Sequence, residues 1–266
     1  MSPPSASSEV HLLQAALSVT AQPLLAGIEH LSSVDSTNNY LLAAAETGQA
    51  SGSVCLADYQ SAGRGRRGRQ WVSPPGGNLY LSVLWRYPSP PPHLASLSIA
   101  TGLAVARTLR DLGVVAIQLK WPNDVIWYGR KLGGLLLETR SGSECVVVAG
   151  IGLNLRMPPQ QAGIDQPWTD LTTILDTSCP PRPLLVAELL NRLLPLYHHY
   201  PQYREDCAAA WAEFDALADQ PVCIDDQGQT LEGIARGVDQ AGQLRVATAQ
   251  GLRIFNSGEV TVRSVV

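Results

Sequence analysis

The stretch from Val114 to Leu155 constrains the fold more than any other part of the chain. "VVAIQLKW", "VIWY", "KLGGLLLET" and "CVVVAGIGLNL" are four apolar runs separated only by "PND", "GR" and "SGSE". Connections that short cannot carry a crossover helix, so successive runs must pair antiparallel. Upstream, "IEHLSSVDSTNNYLLAAAETG" reads as a strand, a polar turn and a helix, with Asp35, Ser36 or Thr37 as N-cap and Gly48 as terminator. "SVCLADYQ" is a short strand, and "GGNLYLSVLWRY" a strand alternating around Leu79, Leu81 and Val83. "LASLSIATGLAVARTLRDLG" carries apolar residues at helical spacing and predicts a buried amphipathic helix ending at Gly113. Together these give an α+β fold: a mixed, largely antiparallel central sheet flanked by helices.

The proline-rich stretch from Met157 to Pro183 reads as a long irregular loop, and loops of that length are more often functional than idle. Two helices follow in "PLLVAELLNRLLPLYHHYPQYREDCAAAWAEF", with Pro195 kinking the first or lying near its end and Pro201 between them. From Leu217 the pattern becomes short strands with "DDQG", "DQAGQ" and "AQG" turns, which predicts a small β-barrel. The boundary falls near Ala216, dividing the chain into residues 1–216 and 217–266. The Pro/Ser-rich start, Met1 to Ser8, is expected to be disordered, and residues 1–25 partly so.

At 266 residues and 45% hydrophobic, the chain can fill a proper core. No signal-peptide pattern and no bilayer-length apolar run occur, so a soluble, cytoplasmic protein is expected, with no membrane partner. Five scattered cysteines without a C-x-x-C pair argue against a disulfide framework or a structural zinc.

The formal net charge is -4, so nothing global draws the chain to nucleic acid. "SAGRGRRGRQW" (Ser61 to Trp71) is therefore a local device. Arg64, Arg66, Arg67 and Arg69 alternate with Gly63, Gly65 and Gly68, letting the backbone approach an anion that the guanidiniums grip, phosphate above all. It lacks the Lys-Ser/Thr ending of a P-loop; a solvated loop tip or a nucleic-acid tether are the other readings of its composition. Of 19 basic residues only Lys120 and Lys131 are lysine, and both lie in "LKWPNDVIWYGRKLGG", marking places where a compact ammonium is needed. There Asn123 and Asp124 project from a proline-fixed turn. Alternation places Lys131 and Gly133 on one face of the next strand and Leu132 and Gly134 on the other, the glycines leaving room for a ligand. "DSTNN" at a helix start can cap that helix or recognise a polar head group, and Gly150 and Gly152 in "AGIGLNL" mark a ligand surface or a simple bulge. His198 and His199 read as packing or surface residues, with no catalytic triad or metal-spaced cluster.

"STN" (Ser36 to Asn38), "GRGRRGRQW" (Gly63 to Trp71), "KWPND" (Lys120 to Asp124), "KLGG" (Lys131 to Gly134), "GIGLN" (Gly150 to Asn154) and the closing "GEVTVRS" occur in the order and spacing of the biotin protein ligases, which the chain resembles from Asp35 onward. The resemblance implies a catalytic domain of the class II synthetase and biotin/lipoyl ligase type followed by an SH3-like barrel. It implies ATP-dependent formation of biotinyl-5'-AMP with Mg(II), and transfer of biotin to a lysine of a biotin carboxyl carrier protein. It further implies that Ser36, Thr37, Asn38 and Gln60 bond the biotin ureido ring, with Gly63, Arg64, Gly65, Arg66, Lys131, Gly134 and Gly152 completing that pocket. Arg64, Arg66, Arg67, Trp71, Asn123, Lys131, Asn154 and Trp168 would hold ATP or the adenylate. Arg64, Arg66, Lys131 and Asp124 would carry the catalysis, Lys131 bridging the biotin carboxylate and the α-phosphate.

Only some 35 residues precede "STN", which is short for a DNA-binding winged helix, so no operator binding is expected; monomer and homodimer both stay open. The related lipoyl and octanoyl transferases are the alternative enzyme class. A nucleic-acid module built on "RGRRGR" and the barrel is the alternative outside enzymes, weakened by a barrel segment with Phe255 as its one aromatic.

Overall fold

In the computed structural model, which describes residues 6–158, 163–202, 206–226, 229–257 and 260–264, the chain runs through α1 (Ala6–Ala15), β1 (Gly27–Leu31), α2 (Thr37–Glu46), β2 (Ser53–Ala57), β3 (Asn78–Tyr87), α3 (Leu97–Asp111), β4 (Ile117–Lys120), β5 (Asp124–Trp127), β6 (Arg130–Ser141) and β7 (Cys145–Asn154). It continues with α4 (Leu171–Leu175), α5 (Arg182–His199), α6 (Cys207–Ala212), β8 (Pro221–Asp226), β9 (Gln229–Val238), β10 (Leu244–Thr248), β11 (Gly251–Phe255) and β12 (Val260–Ser264).

The first seven strands form one sheet in the order β1-β2-β3-β7-β6-β5-β4. Only β1 and β2 pair parallel; every other neighbour is antiparallel, and in the β4–β7 meander the short turns require it. Leu79, Leu81 and Val83 of β3 and Val147, Ala149, Ile151 and Leu153 of β7 face the main core, which α3 and α5 close. On the opposite face Leu84, Val146 and Val148 pack beneath Leu41 and Leu42 of α2. Ten residues long, α2 covers only one end of that face, and the uncovered remainder is the floor of a cleft.

The last five strands form an antiparallel sheet in the order β11-β10-β9-β8-β12, and its Val222, Ile224, Val246 and Phe255 join the main core rather than forming a separate one. Pro195 lies near the C-terminal end of α5, which runs on to His199 without breaking. No helix among the described residues is long and apolar enough to cross a membrane.

The N-terminus differs from expectation. Residues 1–5 lie outside the described part, but Ala6 to Ser8, read as disordered, begin α1. Tertiary contacts supply what local pattern lacks: Leu13 is fully buried, and Glu9 pairs with Arg182 of α5 at 2.5 Å. The same guanidinium reaches Asp58 at 2.7 Å, and Asp58 lies 2.9 Å from His30 of β1. This network fastens α1 to the sheet.

Candidate active site

The cleft has a volume of about 1130 Å³ and is bounded by the start of α2, the arginine loop, the cleft faces of β3, β7, β6 and β5, and residues 163–168. Pairing across the sheet explains its floor. Ser82, Gly150 and Leu136 form one row, and Tyr80, Gly152, Gly134 and Asp124 the next. Three of these positions, Gly150, Gly152 and Gly134, have no side chain, so the rows can be approached closely.

At the α2 end the polar side chains are buried and already organised. Ser36 caps the helix, its hydroxyl 3.5 Å from the Asn39 N–H. The Thr37 N–H and hydroxyl both donate to Gln60 Oε1, at 2.9 and 3.2 Å. Asn38 Nδ2 donates to the Leu136 carbonyl at 3.0 Å and to Glu138 at 2.8 Å. The Ser82 hydroxyl lies 2.6 Å from Asn38 Oδ1 and 2.8 Å from Thr37 Oγ1, able to donate to either. A Cβ at Gly150 would stand 2.3 Å from Asn38 Oδ1, so Gly150 is a fitting residue for Asn38.

The arginine loop is a folded hairpin. Trp71 N–H bonds the Gly63 carbonyl at 2.9 Å, Gly65 N–H bonds the Arg69 carbonyl at 2.7 Å, and the turn contains Arg67 at φ +56°. Its charges meet carboxylates: Arg64 pairs with Glu138 at 2.6 Å, and Asp124 acts on Arg66 through space. Burial nevertheless pushes the Arg66 guanidinium below its ordinary pKa; Asp124 opposes this, while Arg67 and Arg69 reinforce it. Gly63 is buried behind the wall, packed on Trp71, Ser73 and Gln60, and does not line the cleft. Trp71 lies over the floor, with its indole where Cβ atoms of Gly152 and Gly134 would be, at 2.9 and 3.3 Å.

Lys131 Nζ lies 2.7 Å from Asp124 and 5.6 Å from the centre of the Trp71 ring. The alternation expected for this strand fails. Val125 pairs with Gly133 and Ile126 with Lys131, so Leu132 is the extra residue of a bulge. Leu132 turns into the core at 0% exposure, and Lys131 shares the cleft with Gly134, not with Gly133. Gly133 is small because β7 crowds it, its Cβ position lying 2.6 Å from the Gly152 carbonyl. The backbone of Lys131 is clamped by residues 167–169: its N–H bonds the Pro167 carbonyl at 2.9 Å and its carbonyl accepts from Thr169 at 3.0 Å. That clamp brings Trp168 to the wall. Asn154 Nδ2 bonds the Thr169 carbonyl at 2.9 Å and so fixes the clamp. Asn123 is tied to β6, its Nδ2 donating to the Leu135 carbonyl at 2.7 Å. Lys120 also lines the cleft, and burial lowers its pKa, with Asp124 opposing and Lys131 adding to the fall.

Thus Ser36, Thr37, Asn38, Gln60, Arg64, Gly65, Arg66, Arg67, Trp71, Asn123, Asp124, Lys131, Gly134, Gly152, Asn154 and Trp168 converge on one cleft, while Gly63 and Gly133 stand behind it. Of the closing "GEVTVRS", Gly258 and Glu259 lie outside the described residues, and Val262 reaches the cleft. Sequence reasoning missed Ser82, Glu138 and the wall formed by Trp121. A hydroxyl inside the apolar run "LYLSVLW" was the signal for the first.

The description "Biotin/lipoate A/B protein ligase family" matches residues 31–154, and "Biotin protein ligase C terminal domain" matches residues 219–263. The bifunctional ligase/repressor BirA of Escherichia coli is 36% identical over 241 residues, 87% of this chain and 72% of that protein. The biotin–[acetyl-CoA-carboxylase] ligase of Mycobacterium tuberculosis is 33% identical over 233 residues, 85% of each. Among solved structures, the biotin protein ligase from Aquifex aeolicus in complex with biotin and ATP superimposes with a TM-score of 0.77 at 26% identity, covering 91% of this chain and 100% of that one.

Proposed function

Because this chain belongs to the biotin protein ligase family, it is a ligase, and we propose that it activates biotin with ATP in the cleft and transfers the biotinyl group to a lysine of a biotin carboxyl carrier protein. The order of groups along the cleft face of β7 is the observation that carries this reading. Gly150 faces the buried amide and hydroxyl cluster, Gly152 faces the Trp71 indole, and Asn154 holds the backbone of Lys131 through its clamp. At ~3.3 Å per residue that run spans ~13 Å. A polar ring system at one end, an apolar chain across Trp71 and a carboxylate at Lys131 match it group for group.

In the first step a biotin carboxylate oxygen attacks the α-phosphorus of ATP; the new O–P bond forms as the bond to pyrophosphate breaks. Two anions must meet, and Lys131 is the cation that can touch both. Arg64, Arg66 and Arg67 offset the charge on the phosphates, so catalysis rests on positioning and electrostatic stabilisation. In the second step the carrier amine attacks the acyl carbon, AMP leaves, and Asp124 is the carboxylate at hand to take the amine proton. Ser36, Thr37, Asn38 and Gln60 bond the ureido ring; each such group left unpaired in the closed site would cost ~1–3 kcal/mol. The Trp168 ring covers the adenine.

ATP enters as its magnesium complex. Among the described residues no group of three or more His, Cys, Asp and Glu side chains stands ready for a metal. Asp124 and Asn123 nevertheless offer the one or two oxygen donors that Mg²⁺ takes when phosphates and water fill its other positions. Residues 1–216 would form the catalytic domain, and residues 217–266 a second domain that closes the cleft with Val262.

The test is to incubate the protein with biotin, Mg·ATP and a carrier domain, and to measure the carrier's intact mass. A gain of one biotinyl group, lost when the acceptor lysine is replaced by arginine, is expected. No gain with biotin, alongside a gain with lipoate or octanoate, would reassign the substrate.

A further inference from the structure

Trp121 and Pro122 form the partition between the cleft and a second, smaller cavity of about 190 Å³ at the junction of α3 with the C-terminal sheet. The indole is 2% exposed, and its Nε1–H donates to the Gly242 carbonyl at 3.0 Å, across 121 residues of chain. The ring belongs to the main core, and the hydrogen bond ties its polar edge to the turn before β10.

The acceptor is itself immobilised. Gly242 sits at φ +76°, where a Cβ would meet Ile99 Cγ1 at 2.8 Å and Ser96 Cα at 3.1 Å, so its turn is pressed against the start of α3. Asp239 locks that turn by accepting the N–H groups of Ala241 and Gln243, each at 2.9 Å. On the strand that leads into Trp121, Leu119 exchanges backbone hydrogen bonds with Phe214 and Ala216, at 2.7 and 2.9 Å. Both supports therefore come from the chain beyond α6. The next residues after the partition are Asn123 and Asp124, which face the nucleotide in the reading above.

We propose that Trp121 is a positioning residue, through which the C-terminal sheet sets the Asn123–Asp124 corner for the nucleotide while leaving the ureido pocket untouched. The proposal rests on the ligase reading, and biotin-dependent pyrophosphate release by the unaltered protein is its reference. No release there counts against that reading, whereas the effects below count only for or against Trp121.

Trp121→Phe keeps the apolar bulk and removes the donor, leaving the Gly242 carbonyl unpaired. The expected result is a fall of ~10-fold in kcat/KM for ATP, with the biotin Kd unchanged. Asp239→Ala, remote from the cleft, unlocks the turn and should produce the same selective loss; it stands in if Trp121→Phe does not fold. Because both act through one carbonyl, the double variant should be no worse than Trp121→Phe alone. Unchanged ATP kinetics, equal weakening of ATP and biotin, or additive losses in the double variant would each overturn the assignment.

Discussion

Gly150 and Asn38 occupy one space: a Cβ on the glycine would stand 2.3 Å from Oδ1 of the asparagine, closer than any side chain tolerates. Asn38 can retreat only by breaking the hydrogen bonds that its amide nitrogen makes to Leu136 and Glu138. Gly150→Ala should therefore displace the amide that meets the ureido ring and raise the biotin Kd by ~10-fold or more, while the protein stays folded. Titration calorimetry beside thermal melting checks this; unchanged affinity would contradict it.

Lys131→Arg keeps the charge and loses the fit. The ammonium stands between Asp124 and the Trp71 ring as a compact donor, and a planar guanidinium cannot occupy the same point. Biotin-dependent pyrophosphate release should fall ~100-fold. Near-normal release would remove Lys131 from its bridging role.

Arg66 is the loop arginine whose guanidinium is half-buried at the cleft, whereas Arg67 and Arg69 are exposed. Arg66→Gly should impair retention of the adenylate more than its formation, releasing biotinyl-AMP into solution and labelling bystander lysines. Retention of the adenylate through gel filtration would refute that role.

Asp58 links pH to the anchoring of α1. Burial alone would raise its pKa, but hydrogen bonds from His30 and Arg182 and the Arg182 charge outweigh it and hold the carboxyl below its ordinary value. At acidic pH the unfolded chain thus binds the proton first, so stability from this carboxylate is present above the unfolded pKa. It is lost as pH falls through the lower folded value. Urea midpoints measured from pH 7 down to about pH 3 should fall more steeply for the parent than for Asp58→Asn. Parallel slopes would show that the network contributes nothing to acid sensitivity.

The β4–β7 meander was legible because its turns are too short to allow another topology, and α3 because its apolar spacing is unambiguous; the place of β3 beside β7 was not, since long connections separate them. α1 was not: its ion pair joins Glu9 to Arg182, 173 residues away, and no local pattern announces such a partner. The site motifs stand out as glycines, arginines and lysines in an otherwise ordinary chain, and most of them line the cleft, with Gly63, Gly68 and Gly133 as the glycines that do not. What sequence could not supply was facing. The bulge at Leu132 reverses the alternation that strand periodicity predicts, and Glu138 enters the site because of it. The partner of the Trp121 indole is a carbonyl in the turn between β9 and β10, 121 residues away.

The most direct test of the account is pyrophosphate release by the purified protein with biotin and Mg·ATP and no carrier, followed by extraction of the bound product. The cleft as described predicts biotin-dependent release of about one pyrophosphate per site, with biotinyl-AMP retained. Release that responds to lipoate and ignores biotin, or no release with either acid, would contradict it.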